Sequence, residues 1–322
     1  MVLVTGCNGL IGKKLIDRLL GDGEPVRGLD FWRDRNLAAG VEFFEGTVLD
    51  DELLLDATAD VDTVYHLMDI YNTTHNSRRR MRRINTTGTE KLLAAARDNH
   101  VRKVVFLSSG EVYGTSDDMP IGIGDPLHPV TRYGKDKVKA EKICQAAIEN
   151  DGMDITIFRP TIMAGPGIDD PLILIILYMA MAMGDGNRFY VGGDGSSRFQ
   201  LVHPDDVVDA LIRAKDRTGS RGGVYNLGSD NVPTQIEQVE RIKKTARVDG
   251  AIHVLSPAIT RLLSIVLRPF NINYLSKEHV IFILSNFVLD CSTTKTDLGW
   301  SPTRDNVAMM AEAVEWYRKE KL

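Results

Sequence analysis

Several absences narrow the class of protein before any motif is considered. Cysteine is scarce: the 322 residues contain only Cys7, Cys144 and Cys291, with no CxxC pair. Such sparse thiols are typical of a reducing compartment, so a cytoplasmic location is expected. Basic residues are not in excess, because 39 Lys and Arg face 44 Asp and Glu, and no nucleic-acid partner is expected. No His/Cys cluster has metal-ligand spacing, so no metal site is predicted.

Long hydrophobic runs are also missing. The longest run, Leu172 to Met183, is shorter than the roughly 18 residues that a membrane helix needs. It is predicted to be a buried helix, and no membrane span is expected. No cleavable leader is expected, because Val2 to Val4 lead directly into a glycine-rich loop.

The first half of the chain alternates short apolar runs with amphipathic helical patterns. Stretches such as Ile11 to Leu20 and Thr89 to Asp98 are predicted helices. This β-α-β-α rhythm predicts an α/β fold with a Rossmann-type, doubly wound parallel sheet. The predicted strands are Val2 to Val4, Val26 to Leu29, Thr63 to Leu67, Val104 to Leu107 and Thr156 to Phe158.

The second half has a weaker rhythm. Gly184 to Arg198 is rich in turn residues, Val224 to Leu227 is expected to return to the sheet as a strand, and most of the rest, ending with Val307 to Lys321, is predicted to be helical. We therefore expect a Rossmann domain over residues 1–165, joined again by 199–230. Residues 166–198 and 231–322 are expected to form a smaller, mostly helical substrate lobe over the carboxyl ends of the strands, where open α/β sheets bind ligands.

A glycine loop follows the first predicted strand. Gly6, Gly9 and Gly12 form a G-x-x-G-x-x-G pattern that opens the first helix. Glycine there permits a tight turn, close approach of backbone N–H groups to a pyrophosphate at the helix N-terminus, and close helix packing. Asp30 ends the second predicted strand, where a carboxylate can bind ribose hydroxyls and repel a 2′-phosphate. The pattern predicts NAD as the cofactor, and the nearby Arg33 keeps NADP open.

A second group of residues has the character of a catalytic set. Tyr133 and Lys137 are four residues apart, which places both side chains on one face of a helix. Tyrosine, with a pKa near 10, is a poor acid or base at neutral pH, and the adjacent ammonium is expected to lower that pKa. Ser109 follows the predicted strand Val104 to Leu107, where its hydroxyl can bond a reacting oxygen. Asn85 precedes a helix start at a suitable distance.

Together these motifs resemble the extended short-chain dehydrogenase/reductase superfamily, often called the NAD-dependent epimerase/dehydratase family. The resemblance covers nearly the whole chain, and the combination of motifs is highly specific. The segments that carry it are Thr5 to Gly12, Asp30, His66-Leu67, Asn85 with Gly88, Ser108 to Gly114, Tyr133 with Lys137, Arg159-Pro160 with Gly165-Pro166, His203 to Asp206, and Leu298 to Pro302.

The resemblance implies a role for each matching residue. Tyr133 is expected to be the general acid or base, Lys137 its electrostatic partner and ribose ligand, and Ser109 the hydroxyl that steadies the substrate oxygen. A homodimer is also implied, through the helices that begin near Asn85 and Tyr133. The residues implied in NAD binding are Gly6, Asn8, Gly9, Leu10, Ile11, Gly12, Asp30, Val48, Leu67, Asn85, Ser108, Tyr133, Lys137 and Pro160.

Two departures from the family pattern concern the cofactor. Gly46-Thr47 stands where the family has Gly-Asp, so the acid that would bond the adenine amino group is missing. His66-Leu67-Met68-Asp69 stands where the family has His-x-Ala-Ala. The bulk of Met68 and the charge of Asp69 are expected to crowd the pyrophosphate loop.

Three further departures concern the substrate. Nucleotide-sugar members hold a diphosphate with one Asn and two Arg, and these places are Ile162, Phe199 and the segment Ser285 to Phe287 here. Each lost charge-assisted bond is worth about 1.5–3 kcal/mol. Arg198, one residue from the second place, is the remaining candidate substrate ligand. The segment from Arg198 to His203 is more similar to members that act on apolar alcohols and ketones, such as the 3β-hydroxysteroid dehydrogenase-like branch.

Glu111 indicates a different chemistry. Dehydratase and decarboxylase members carry Glu at this place, where it can remove a proton next to a transient ketone. Gly110 stands where some of these members have Asp. A solvated or helix-capping role for Glu111 is an equal alternative.

Three functions follow from these residues. The leading prediction is an NAD-dependent oxidoreductase that transfers hydride between NAD(H) and a secondary alcohol or ketone, a small-molecule substrate. The alternative is a nucleotide-sugar epimerase or dehydratase that retains its NAD. A non-catalytic NAD-binding sensor is the third, disfavoured by the intact Tyr133 and Lys137. The predicted catalytic residues are Ser109, Tyr133, Lys137 and Glu111, and the predicted substrate ligands are Ser109, Glu111 and Arg198.

Overall fold

A computed structural model describes residues 1–71, 78–116, 118–168, 188–215, 222–246, 249–266 and 277–321. Its centre is one parallel sheet formed by β1 (Val2–Thr5), β2 (Val26–Asp30), β3 (Glu42–Glu45), β4 (Thr63–His66), β5 (Lys103–Leu107), β6 (Ile155–Pro160) and β10 (Val224–Leu227). The strands lie across the sheet in the order β10-β6-β5-β4-β1-β2-β3.

The strand order has a switch point between β1 and β4. From β1 the chain adds β2 and β3 on one side, and then β4, β5 and β6 on the other. This is the doubly wound Rossmann arrangement, whose ligands bind in the crevice at such a switch point. The predicted α/β fold class is therefore confirmed.

The strands are buried on both faces. Every residue of β1, β4, β5 and β6 is buried, which explains why their sequences are continuous apolar runs rather than alternating ones. Separate apolar clusters cover the two faces: one contains Leu15, Leu211 and Trp300, and the other contains Leu92 and Ala140.

The helices that alternate with these strands along the chain are α1 (Leu10–Gly21), α2 (Asp51–Thr58), α3 (Arg78–Arg82), α4 (Thr89–Asp98), α5 (Arg132–Asp151) and α6 (Pro204–Lys215). Helix α1 packs against α6, while α4 packs between α2 and α5. A π-helical turn (Arg83–Gly88) precedes α4, and a short 3₁₀ turn (Gly110–Val112) follows β5. Helix α5 begins at Thr131, whose hydroxyl accepts the N–H of Gly134 at 2.9 Å.

The remaining elements lie outside the main sheet. Their bounds are β7 (Ile162–Met163), β8 (Arg188–Gly192), β9 (Leu201–Val202), α7 (Gln235–Ala246), β11 (Ala251–Leu255), α8 (Pro257–Val266), α9 (Lys277–Ile283), α10 (Ser292–Leu298) and α11 (Asn306–Lys321). They include two parallel strand pairs, β7 with β9 and β8 with β11. Strand β8 falls in the segment Gly184 to Arg198, which is expected to be rich in turns and for which no strand is predicted from the sequence.

The strands and helices predicted in the first half agree with the structure to within one or two residues. The helix predicted over Leu172 to Met183 lies outside the described residues. Within the described ranges, no helix combines the length and apolar character needed to cross a membrane. The proposed division into two lobes stays a prediction.

Candidate active site

The glycine loop lies at the carboxyl end of β1, beside the switch point. Gly6 has a positive φ of 72°, and a Cβ on it would lie 2.8 Å from the backbone of Met68. A Cβ on Gly12 would lie 2.4 Å from the Gly6 carbonyl oxygen. Glycine is therefore required at both positions, because the loop touches the end of β4 on one side and α1 on the other.

Asp30 ties the glycine loop to the end of β2. One carboxylate oxygen accepts the N–H of Asn8 at 2.9 Å, and the other accepts the N–H of Phe31 at 2.8 Å. The Asn8 side chain donates to the carbonyl oxygen of Trp32 at 2.6 Å. These bonds place a carboxylate beside the N-terminus of α1.

This arrangement fits a dinucleotide. A tight glycine loop, a helix N-terminus and a carboxylate at the second strand are the groups that a pyrophosphate and an adenosine ribose require. Arg33, which kept NADP open, donates to the carbonyl oxygens of Val41 and Ala38 at 3.2 and 3.3 Å. Its guanidinium is thus engaged by the backbone, and the acid at Asp30 favours NAD.

Ser109 and Glu111 lie in the turn that follows β5. The Ser109 hydroxyl oxygen accepts the N–H of Glu111 at 3.1 Å, and the Glu111 carboxylate accepts the hydroxyl of Thr131 at 2.5 Å. A Cβ on Gly134 would lie 2.6 Å from the Glu111 carbonyl oxygen. The first turn of α5, with Tyr133, is therefore held closely against the turn that carries Ser109.

Tyr133 and Lys137 converge on Asp69, in the loop after β4. The Tyr133 hydroxyl donates to Asp69 Oδ2 at 2.5 Å, and Lys137 Nζ lies 2.8 Å from the same oxygen. Lys137 also donates to the Leu107 carbonyl oxygen at 2.8 Å. The Lys137 side chain is 3% exposed and that of Asp69 is 27% exposed, so the carboxylate reaches solvent while the ammonium does not.

The pKa of Tyr133 lies well above its usual value near 10. Burial is the largest cause, followed by the charge of Asp69 and the hydrogen bond to it, with smaller contributions from Glu111 and Tyr71. The expectation that Lys137 lowers this pKa is therefore wrong. Asp69 neutralises the ammonium and adds a negative charge beside the phenol, so Tyr133 keeps its proton at neutral pH.

Two polar residues expected to bind NAD have side chains that brace the strand ends. Asn85 accepts the N–H of Ile70 at 2.8 Å and donates to the Ile70 carbonyl oxygen at 3.1 Å. The Ser108 hydroxyl donates to Glu141 at 2.5 Å. Both side chains thus fix the backbone around the site, Asn85 after β4 and Ser108 after β5.

The apolar residues expected to bind NAD lie at the same edge of the sheet. Leu67 follows β4 and donates its N–H to the Thr5 carbonyl oxygen at 3.2 Å. Val48 is fully buried and leaves no room for a Cβ on Gly88, which would approach it to 2.4 Å. Pro160 ends β6, and Leu10 and Ile11 begin α1. Their contacts with the cofactor stay predictions.

His66 ends β4 beneath the site. Its ring nitrogens are hydrogen-bonded to the hydroxyls of Thr5 at 2.9 Å and Thr89 at 3.0 Å. Burial, and secondarily the charge of Lys137, lower the pKa of His66 to about 3. A neutral imidazole with a hydrogen bond at each ring nitrogen positions β4 and α4 and does not exchange protons at neutral pH.

On the substrate side, the places of the missing diphosphate ligands are apolar or already bonded. Phe199 and Phe287 are 5% and 1% exposed and belong to one apolar cluster, while Ile162 is half-buried in β7. The Arg198 guanidinium donates to the Val232 carbonyl oxygen at 2.5 Å. Among the hydrogen bonds of the described residues, none joins Arg198 to Ser109 or Tyr133.

Gly110 stands where some dehydratase members are expected to carry a second acid, and its surroundings are tightly packed. A Cβ on Gly110 would lie 2.9 Å from the Phe287 ring, 3.0 Å from Leu289 and 3.1 Å from the Pro160 carbonyl oxygen. The space for an aspartate side chain is therefore filled, and Glu111 has no acidic neighbour at position 110.

Comparison with known proteins agrees with this geometry. The sequence model of the NAD dependent epimerase/dehydratase family matches residues 2–228, which is more than half of the chain, and the chain belongs to this family. A UDP-glucose 4-epimerase of Mycolicibacterium smegmatis is 30% identical over 99% of this chain and 98% of that protein. Sterol demethylase protein B of Methylococcus capsulatus is 27% identical over 98% of both.

A solved structure supports the fold. The structure of MoeE5 in complex with UDP-glucuronic acid and NAD has a TM-score of 0.78 and 23% identity, with 99% of each chain covered. Membership of the family and the geometry of the glycine loop define an NAD-dependent enzyme, with NAD as its cofactor. The predicted family, enzyme class and cofactor are confirmed.

Proposed function

We propose that this enzyme transfers hydride between NAD(H) and a secondary alcohol or ketone that lacks a diphosphate. The observation that carries the proposal is the contrast between a complete Ser109, Tyr133 and Lys137 set and the loss of the family's diphosphate ligands, whose places are Ile162, Phe199 and the segment Ser285 to Phe287. Phe199 and Phe287 lie in an apolar cluster, and a phosphate there would lose its hydration without gaining a cationic partner.

Each residue of the set has a defined task in this proposal. Ser109 donates a hydrogen bond to the oxygen of the reacting carbon, and Tyr133 exchanges a proton with that same oxygen. Lys137 and Tyr133 hold the nicotinamide ribose, while the glycine loop and Asp30 hold the pyrophosphate and adenosine ribose. NAD, when bound, accepts or supplies the hydride.

A nucleotide-sugar epimerase or dehydratase is the second candidate. Glu111 and the likeness to UDP-glucose 4-epimerases favour it. The close packing around Gly110 and the bond from Thr131 to Glu111 count against the dehydratase form, because position 110 has no room for a second acid and the Glu111 carboxylate already accepts the hydroxyl of Thr131, the N-cap residue of α5. The likeness to a protein named for a sterol supports an apolar substrate instead.

The assembly and location are part of the proposal. We infer a cytoplasmic homodimer formed through α4 and α5, and a substrate lobe built from residues 166–198 and 231–322. Light scattering of the purified protein gives the mass of the assembly directly, and a monomeric mass would contradict the dimer.

The nicotinamide content of the purified enzyme, before and after exhaustive dialysis, separates the two candidate functions. The proposed dehydrogenase loses its NAD on dialysis, binds NADH reversibly and forms NADH from a neutral secondary alcohol or a 3β-hydroxysteroid. Near-stoichiometric NAD that survives dialysis, with interconversion of UDP-glucose and UDP-galactose, would establish the epimerase instead.

A further inference from the structure

Among the hydrogen bonds and ion pairs of the described residues, Asp69 is the partner that Tyr133 and Lys137 share, and the proposed function gives it no task. Its Oδ2 accepts the Tyr133 hydroxyl at 2.5 Å and pairs with Lys137 Nζ at 2.8 Å. A hydroxyl has a single proton, so this bond directs the Tyr133 proton to the carboxylate and leaves the oxygen lone pairs free for another donor.

The backbone on both sides of Asp69 is fixed. The Met68 N–H donates to the Thr5 hydroxyl at 3.2 Å, and both backbone groups of Ile70 are bonded to the side chain of Asn85. The close approach of Gly6 to the Met68 backbone adds a steric limit. Asp69 is therefore held at the end of β4 and does not swing on a surface loop.

Among the described residues, four ionisable side chains face the Tyr133 phenol, and its hydroxyl donates to one of them, Asp69. Lys137 Nζ lies 5.5 Å from the centre of the Tyr133 ring, and the Tyr71 ring lies edge-on with its centre 4.8 Å away. The Glu111 carboxylate accepts from the Thr131 hydroxyl instead. Asp69 is thus the acid that contacts the reacting oxygen of the site.

We propose that Asp69 and Tyr133 act as one proton-transfer unit, in which Asp69 receives the proton that leaves Tyr133 and later returns it. The inference rests on the proposed function to the extent that Tyr133 is the acid or base of that reaction. It adds a catalytic residue at a position where the family pattern has alanine.

The protons and electrons balance as follows. During oxidation, the alcohol O–H proton moves to the Tyr133 oxygen while the Tyr133 O–H proton moves to Asp69 Oδ2. The C–H bond breaks, and its electron pair leaves with the hydrogen as hydride for NAD⁺, the oxidant of the family. The products are the ketone, a neutral Tyr133 and a protonated Asp69, and no free tyrosinate forms.

Reduction runs through the same atoms in reverse. A protonated Asp69 gives its proton to Tyr133 as Tyr133 protonates the ketone oxygen. The partial exposure of Asp69 then lets water restore its proton. Ionised Asp69 therefore serves oxidation, and protonated Asp69 serves reduction.

A tyrosinate absorbance titration tests the unit without substrate or cofactor. Asp69→Asn keeps a hydrogen-bond acceptor but removes the charge and the proton acceptor. We expect Tyr133 to ionise at least about one pH unit lower in this variant than in the natural enzyme. The tyrosinate absorbance that appears at this lower pH must be absent from the double variant Asp69→Asn with Tyr133→Phe. A Tyr133 titration that is unchanged in Asp69→Asn would overturn the proposal.

Three variants provide controls. In Asp69→Glu, Tyr133 is expected to ionise at the same high pH as in the natural enzyme. Glu111→Gln is expected to shift this pH less than Asp69→Asn does, because the Glu111 carboxylate is hydrogen-bonded to Thr131. If Asp69→Asn does not fold, Asp69→Ala supplies the same test with a smaller side chain. An equal or larger shift from Glu111→Gln would contradict the special place of Asp69.

Kinetics separate this inference from the proposed function. Asp69→Asn should retain NADH binding, measured by NADH fluorescence, while alcohol oxidation falls by about 10²-fold or more. Undiminished oxidation in Asp69→Asn would overturn the proton-transfer role. Full turnover in Tyr133→Phe would instead refute the proposed function, and the tyrosine titration would still decide whether Asp69 controls Tyr133.

Discussion

The glycine loop after β1 and the segment around Arg198 have kept different amounts of the family pattern. In the loop, Gly6 and Gly12 are fixed by backbone atoms only 2.4–2.8 Å from any added Cβ. Around Arg198, Phe199 stands where nucleotide-sugar members are expected to carry Arg, and it packs with Phe287 in an apolar cluster. A site built from backbone contacts tolerates few residues, whereas one built from side chains can change its ligand by substitution.

The largest predicted effect tests the chemistry that both regions serve. Tyr133→Phe keeps the ring and its packing against Tyr71 but removes the proton that the reaction exchanges. We expect turnover to fall by about 10²–10⁴-fold with NADH affinity nearly unchanged. Steady-state rates and NADH fluorescence titration measure the two effects, and a parallel loss of binding would show that the hydroxyl mainly holds the cofactor.

The next prediction tests the backbone-built region. Gly12→Ala places a Cβ 2.4 Å from the Gly6 carbonyl oxygen, which neither α1 nor the loop can move away from cheaply. We expect NADH binding to weaken by at least about tenfold. Gly21→Ala is the matched control in the same helix, because an added Cβ meets nothing within 4 Å there, and normal binding in both variants would refute the steric requirement.

The sequence identified the parts of the site that depend on local spacing. The four-residue separation of Tyr133 and Lys137 and the glycine pattern each follow from one helix or one loop, and the structure has both. Asp69 was visible only as a departure from His-x-Ala-Ala. Its contact with Tyr133 depends on how the end of β4 meets α5, and no local pattern contains that information.

Other features of the site depend on contacts that are distant along the chain. The lack of space at Gly110 is caused by Phe287 and Leu289, and the occupation of Arg198 by the Val232 carbonyl oxygen. Each contact joins a strand end to a segment of the second half, where the sequence rhythm is weak. Sequence analysis therefore named Arg198 as a substrate ligand without access to its competing backbone partner.

The loss of protein stability at acid pH should also depend more on His66, beneath the cofactor loop, than on His203. His66 has a folded pKa of about 3 against about 6.5 when unfolded, so the unfolded chain alone binds a proton between these values. Stability is then lost as the pH falls from about 6.5 towards 3, by about 1.4 kcal/mol per pH unit. We expect the free energy of unfolding, measured with denaturant between pH 7 and pH 4, to fall less with falling pH in His66→Gln than in the natural enzyme.

His203 provides the comparison for that measurement. It precedes α6, and burial followed by the charge of Arg304 lowers its pKa. The nearby carboxylates of Asp205 and Glu312 act in the opposite direction, so its contribution should be smaller. His203→Gln is expected to reduce the loss of unfolding free energy at acid pH less than His66→Gln does. The reverse order would place the acid-sensitive contact outside the cofactor region.

The smallest predicted effect decides how Arg198 is used. Its guanidinium donates to the Val232 carbonyl oxygen, so Arg198→Ala removes a structural bond worth about 1 kcal/mol, while the bond from the backbone N–H of residue 198 to the Asn286 side chain is retained. We expect a correspondingly small loss of stability and less than about a twofold change in affinity for UDP, measured by calorimetry. Affinity for UDP that falls tenfold or more would mean that Arg198 leaves the carbonyl to bind phosphate. The substrate region would then have kept a cationic ligand, and the nucleotide-sugar epimerase would become the better description of this enzyme.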